Sequence, residues 1–173
     1  MIRLLLLVVA VFGFMLVEAR RAASNERAQR ALGGIEPKHD VYPAMQVAYP
    51  GIFLAMIGEG LFRPEPHIAL LAIGVVVFAA GKLLKWWAIT ALGQFWTFRV
   101  IVVPGSAPVA AGPYRFLRHP NYVGVFGELA GAGLIAAAPV AGVLGTLMFT
   151  GLMAARVRVE TRALNAILRR GYA

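Results

Sequence analysis

Five stretches of the chain are apolar enough, and long enough or nearly so, to cross a bilayer: residues 1–17, 44–62, 67–88, 121–138 and 140–156. A spanning helix needs about 20 such residues. The first run, followed at once by arginines, reads as a retained anchor. A signal peptide is the alternative, with Val17-Glu18-Ala19 as a poor cleavage site. Residues 18–43 alternate basic and acidic side chains, and 19–32 fit a short polar helix that Gly33-Gly34 would end. Arg63-Pro64-Glu65-Pro66 predicts a tight turn, because two prolines in four residues exclude a continuous helix. Glu59, just before it, is either interfacial, the favoured reading, or a partner within the bundle. Lys82 and Lys85 precede Trp86 and Trp87, and snorkelling lysines beside headgroup tryptophans explain all four without a catalytic role.

Residues 93–111 are different. Phe95 to Val103 is β-branched and aromatic, too short to span, and followed by Pro104-Gly105. An extended segment or short hairpin covered by protein is expected, since its backbone groups need partners in lipid. Pro139 separates the last two runs into a tight helical hairpin, and Gly124, Gly127, Gly131 and Ala132 form a small-residue face for close packing. The tail from Arg156 to Arg170 reads as a charged helix of its own after the last span. The pattern predicts an all-α membrane protein of one domain, with about five transmembrane helices, a short extended segment and a C-terminal cytoplasmic helix.

Composition narrows the function classes. The 173 residues are 60% hydrophobic and 14% charged, whereas soluble domains carry about a quarter charged residues. There is no cysteine, which removes disulfides, thiolate metal sites and a cysteine nucleophile. The formal charge of +9 does not imply nucleic acid, because no basic stripe interleaves with aromatics on a soluble module. Grouped by loop, fifteen of the seventeen basic residues fall on one side of the predicted spans, and only Arg3 and Arg63 on the other. The positive-inside rule then puts the amino terminus outside and the basic segments in the cytoplasm, as expected for a bacterial plasma-membrane protein.

Polar chemistry concentrates between Gly112 and Gly124, in the sequence Gly-Pro-Tyr-Arg-Phe-Leu-Arg-His-Pro-Asn-Tyr-Val-Gly. His119 alone could be a helix cap. Together with Arg118, Tyr114, Tyr122 and the amides around Pro120 and Asn121, it could hold a ligand with a carboxylate and an aromatic base. The following helix presents its amino terminus to the anionic end. Arg156 and Glu160 are one turn apart and share a face, which by spacing alone is equally an ordinary ion pair. Glu128, two turns beyond Tyr122, is a candidate base, or else a structural carboxylate paired with Arg99 or Lys82. Gly131-Ala132-Gly133 is not a dinucleotide fingerprint, since no strand precedes it and G-x-G-x-x-G is absent.

Gly112-Pro113-Tyr114, then Arg118-His119-Pro120-Asn121-Tyr122 and Gly124, followed by an apolar hairpin and Arg156…Glu160, resemble the isoprenylcysteine carboxyl methyltransferase family of integral membrane methyltransferases. The resemblance covers about residues 93–165 and is nearest to the short bacterial branch, some members of which methylate products of type III polyketide synthases. Thr161 stands where the family often has a second glutamate. The resemblance implies S-adenosylmethionine bound without a Rossmann domain. It assigns Tyr114, His119, Pro120, Asn121, Tyr122 and Glu160 to the cofactor, with Ser106, Ala107, Pro108 and Val109 giving backbone contacts. Arg156 would face the acceptor, a lipophilic small molecule or a prenylated acceptor that enters sideways from the surrounding membrane lipid. Such a reaction needs alignment above all. An ionised carboxylate acceptor needs mainly a cation such as Arg156, whereas a phenol or enol needs a base or a cation that lowers its pKa. Two other classes are a membrane reductase using NADPH with a similar C-terminal architecture, and a non-catalytic membrane scaffold. Cofactor binding separates all three.

Overall fold

The computed structural model describes residues 1–37, 40–107 and 109–171, with side chains described through Ala163. Among the described residues there are five α-helices: α1 (Ile2–Ala31), α2 (Tyr42–Leu61), α3 (Ile68–Leu92), α4 (Pro120–Ala136) and α5 (Pro139–Gly171). Short 3-10 turns occupy Gly93–Phe95 and Gly112–Arg115. Four helical stretches are long and apolar enough to cross a membrane, Ile2–Ala31, Tyr42–Leu61, Ile68–Phe95 and Pro139–Ala163. The protein is thus an all-α integral membrane protein. α4, with 17 residues, is the shortest of the five helices, about 25 Å long. It holds the middle of the bundle, with ten of its residues buried.

Two predicted breaks are absent. The first apolar run and the polar stretch after it form one helix, α1, and the last span continues without interruption into the charged tail as α5. α1 stays continuous because its buried positions, Leu4, Leu7, Val11, Glu18, Ala22 and Gln29, repeat on a single face through both halves. Only the partners change, from apolar core to polar backbone. Asn25 Nδ2 donates to the carbonyls of Gly93 and Trp96 at 2.9 and 2.7 Å, and Gln29 Nε2 donates to that of Gln94 at 2.9 Å. These carbonyls close the end of α3, and the polar end of α1 satisfies them. The extended segment that follows is covered as expected: Ile35 and Val102 exchange backbone hydrogen bonds at 2.8 and 3.0 Å in one antiparallel bridge.

α3 and α4 approach most closely through glycines. A Cβ on Gly81 would stand 2.7 Å from the Glu128 amide nitrogen, and one on Gly124 would meet the Gly81 carbonyl oxygen at 2.8 Å and the Lys85 nitrogen at 2.9 Å. That approach has an electrostatic consequence which corrects the snorkelling expectation. Lys82 and Lys85 are buried, not stretched to an interface. Lys82 Nζ lies 3.2 Å from Glu18 and 2.9 Å from Glu128, and Lys85 Nζ lies 2.7 Å from Glu18 and 3.5 Å from Glu128. Tyr49 on α2 donates its hydroxyl to Glu128, and the Phe14 ring sits 4.9 Å beneath the Lys82 ammonium. Side chains from α1, α2, α3 and α4 therefore meet in one charge-balanced cluster. Glu59 is a cap as well as an end residue. Its carboxylate accepts from the Val140 and Ala141 amides at 3.3 and 2.7 Å and pairs with Arg63 at 3.1 Å, fixing the start of α5.

Candidate functional site

The polar segment before α4 folds as a tight run of turns. Gly112 has φ +57°, and a Cβ there would meet Ala91 Cβ at 2.8 Å, so the chain passes close over α3. The 3-10 turn Gly112–Arg115 then presents Tyr114. His119 occupies the position before the first turn of α4 and makes no side-chain cap, while Pro120 begins the helix and is fully buried. Freed from capping, the His119 imidazole stacks on Tyr122, with centroids 5.5 Å apart and planes at 20°.

α5 supplies the charges. Glu160 Oε1 accepts from the Tyr122 hydroxyl at 2.6 Å and from Arg156 Nε at 3.2 Å, and its Oε2 lies 3.9 Å from His119 Nδ1. The one-turn spacing of Arg156 and Glu160 is thus an ion pair, and it is also locked to α4 through Tyr122. Arg156 has a second carboxylate neighbour: Asp40 Oδ2 lies 3.8 Å from its Nη1. Asp40 is fixed in turn, accepting from the Tyr42 and Val100 amides, each at 3.2 Å. Asn121 is tied to the extended segment, its Oδ1 accepting from Trp96 Nε1 at 3.3 Å.

These groups surround a cavity of about 650 Å³, a size that suits a cofactor or drug-sized ligand. Tyr114, His119, Asn121, Tyr122, Arg156 and Glu160 all line it, as do Val109 and Arg118. Below this polar rim the walls are apolar, formed by Met45, Val125, Phe149 and Met153, and the floor is Tyr49, Glu18 and Lys85. Two pairs of lining residues, Tyr42 and Tyr49 on α2 and Phe149 and Arg156 on α5, are each seven residues apart, so the lining runs along about 10 Å of helix. Burial pushes the Tyr114 phenol well above its ordinary range, with the Glu160 charge adding to the effect, so the hydroxyl stays protonated.

Not every predicted site residue gathers here. Ser106 and Ala107 are exposed, and the Ser106 hydroxyl donates to the Val103 carbonyl at 2.7 Å within its own turn. Pro108 lies outside the described residues, as do Lys38 and His39. Glu128 is fully buried behind Tyr49 and Lys85, which line the cavity where it does not. Its lysine partners include Lys82, one of the two structural partners considered from sequence; Arg99 instead pairs with Glu36 at 2.7 Å and Glu26 at 3.8 Å. Sequence reasoning missed Asp40, Glu18 and Tyr49. Asp40 carried a weak signal, a carboxylate two residues before a helix start, but nothing local connects it to Arg156, 116 positions away.

The family model described as "Isoprenylcysteine carboxyl methyltransferase (ICMT) family" matches residues 72–166, which include the site's α3, α4 and α5 portions. An uncharacterized protein of Bacillus subtilis, YpbQ, is 32% identical over 145 residues, 83% of this chain and 86% of that protein. An uncharacterized protein of Haemophilus influenzae is 22% identical over 142 residues, 82% of this chain and 83% of that protein. No solved structure matches the chain. The chain belongs to the isoprenylcysteine carboxyl methyltransferase family.

Proposed function

We propose that this protein is a membrane-embedded S-adenosylmethionine-dependent O-methyltransferase that acts on a lipophilic acceptor. One observation carries the reading. A carboxylate, Glu160, is held by Tyr122 and Arg156 beside stacked aromatics, at the mouth of a cavity that turns apolar within it. S-adenosylmethionine supplies a methyl group on a sulfonium, which becomes a neutral thioether once the methyl is displaced. The donor set suits such a cation: Glu160 offers negative charge, and the Tyr122 and Tyr114 rings offer aromatic faces. Tyr114 remains a neutral phenol and does not compete as a charge. Arg118 and the amino terminus of α4 are the groups for the cofactor's carboxylate. Asn121, held by Trp96, and Val109 border the same space. Arg156, gripped on two sides, orders the acceptor end. Glu128 belongs to the buried ionic cluster and acts through Tyr49 and Lys85 as a structural support. In this reading the site end of the bundle faces the cytoplasm and the amino terminus lies outside, as the distribution of basic residues favours.

The test is calorimetric binding of S-adenosylhomocysteine to the detergent-purified chain, with His119→Ala and Glu160→Ala alongside. Binding in the micromolar range, about −8 kcal/mol, is expected in the wild type and is lost in both variants. Absence of binding to folded wild-type protein would rule the reading out.

A further inference from the structure

Trp96 borders the cavity from the extended segment, yet only 4% of it is exposed. Ala22 and Ile89 share one core cluster with it, the Phe98 ring meets it edge-on at 5.3 Å, and its carbonyl accepts from Asn25 Nδ2 at 2.7 Å. An indole held in this way has a single polar atom to offer. That atom, Nε1, faces Asn121 at 3.3 Å. An indole N–H can only donate. The Asn121 atom turned toward it is therefore the amide oxygen, and the amide nitrogen is turned away. Without such a donor-only neighbour, the two rotations of an asparagine amide would be hard to tell apart, because oxygen and nitrogen are nearly the same size. Asn121 Nδ2 has no hydrogen-bond partner among the described residues, and it is not one of the buried side-chain atoms sealed without a partner. The residue lines the cavity. The cavity wall thus carries an amide donor of fixed orientation with nothing to receive it.

We propose that Trp96 is a positioning residue for the cofactor: by holding the Asn121 oxygen it turns the Asn121 amide nitrogen to the cavity, where that nitrogen donates to a ring nitrogen of the adenine. The proposal rests on the methyltransferase reading and adds how the base of its cofactor is read. Two aromatic pairs accompany the donor, Trp96 with Phe98 and His119 with Tyr122, and all four side chains line the cavity. A flat heteroaromatic ring uses both features, its faces against aromatic side chains and its in-plane nitrogens against the amide. The cofactor's carboxylate has Arg118 and the start of α4, which leaves this amide for the base. The lock reaches back to α1, since Asn25 fixes the Trp96 backbone.

The experiment compares S-adenosylhomocysteine with its 1-deaza, 3-deaza and 7-deaza analogues by calorimetry on the detergent-purified full chain. Each analogue replaces one acceptor nitrogen of the purine by C–H and leaves the rest of the ligand in place. In the wild type, at least one analogue is expected to bind about tenfold more weakly than the parent, because the Asn121 donor is then left facing a C–H. In Asn121→Ala that analogue and the parent are expected to bind alike. Trp96→Phe keeps an aromatic ring but frees the amide to turn, and the same gap is expected to shrink about threefold or more. A merely structural role for Trp96 would weaken all four ligands equally and leave the gap unchanged. The proposal is overturned if the wild type shows no gap, if the gap survives in Asn121→Ala, or if it survives in folded Trp96→Phe. Should Trp96→Phe not fold, benzothienylalanine at position 96, with sulfur in place of the indole N–H, makes the same comparison with the ring's shape kept. Failure of S-adenosylhomocysteine itself to bind is the separate result that removes the methyltransferase reading.

Discussion

Two ionic clusters lie along this bundle, and they differ in balance and in access. The lower one pairs Glu18 and Glu128 with Lys82 and Lys85, two charges against two, with all four side chains no more than 9% exposed. The upper one sets Arg156 against Asp40 and Glu160, one charge against two, and opens onto the cavity through a partly exposed Glu160. Charges within a membrane bundle are costly unless paired, so a closed and neutral cluster is a fastening among helices. In the reading proposed above, a cluster left short of one cation and facing a cavity is the one that meets a ligand. The two share Tyr- and Phe-bearing walls: Tyr49 donates to Glu128 and its ring lies 5.0 Å from Phe149, one turn before Met153 and two before Arg156.

The contrast breaks most sharply under single substitutions in the lower cluster. Glu128→Gln leaves two lysines facing one carboxylate, and a loss of about 3–5 kcal/mol is expected, the usual result of stranding a buried charge. Thermal unfolding in detergent measures it. The matching change above, Glu160→Gln, is expected to cost less than about 1 kcal/mol by the same measurement, since its side chain is 27% exposed, while abolishing S-adenosylhomocysteine binding. Equal stability losses in the two variants would erase the distinction drawn here. Next in size, Gly124→Ala forces a methyl group against the Lys85 backbone and the Gly81 carbonyl. A loss of about 1–3 kcal/mol follows from overpacking, and it lowers the melting temperature by parting α3 from α4.

Asn25→Ala removes two hydrogen bonds to the carbonyls of Gly93 and Trp96. About 1–3 kcal/mol is expected, along with faster amide exchange in the extended segment that frames the cavity. The smallest effects are in pH dependence. Tyr114 has a raised folded pKa, so its contribution is complete below the ordinary tyrosine value of about 10 and is lost as the pH rises beyond it. Ligand affinity should therefore not respond to this group between pH 7 and 10, which a calorimetric pH series on wild type and Tyr114→Phe would reveal. Glu36 runs the other way. Despite the opposing effect of burial, Arg99 and Arg30 hold its carboxyl below the ordinary value. Its stabilisation is present at neutral pH and disappears as pH falls through the acid range, by less than about 1 kcal/mol for so exposed a group. Melting curves between pH 3 and 7 for wild type and Glu36→Gln would measure the difference.

The sequence by itself determined the elements that depend on neighbours along the chain. Apolar run length and the prolines at 64, 66 and 139 place the helices, because a helix is decided by local hydrogen bonding and by where a proline forbids it. The Gly112–Gly124 motif and the one-turn spacing of Arg156 and Glu160 marked the site for the same reason, since each lies within one or two turns of chain. The continuity of α1 and α5 escaped that reading: a change from apolar to polar residues resembles a boundary, yet a single face can run through both when its partners change. Tertiary structure alone decided the pairings. Whether a lysine snorkels or is buried depends on a carboxylate reaching it from another helix, and Glu18 is 64 residues from Lys82. Whether Arg156 is a free cation depends on Asp40, which only folding brings beside it. Charge interactions act through space at a few ångströms and carry no periodicity along the chain, so their partners become visible only when the helices are packed.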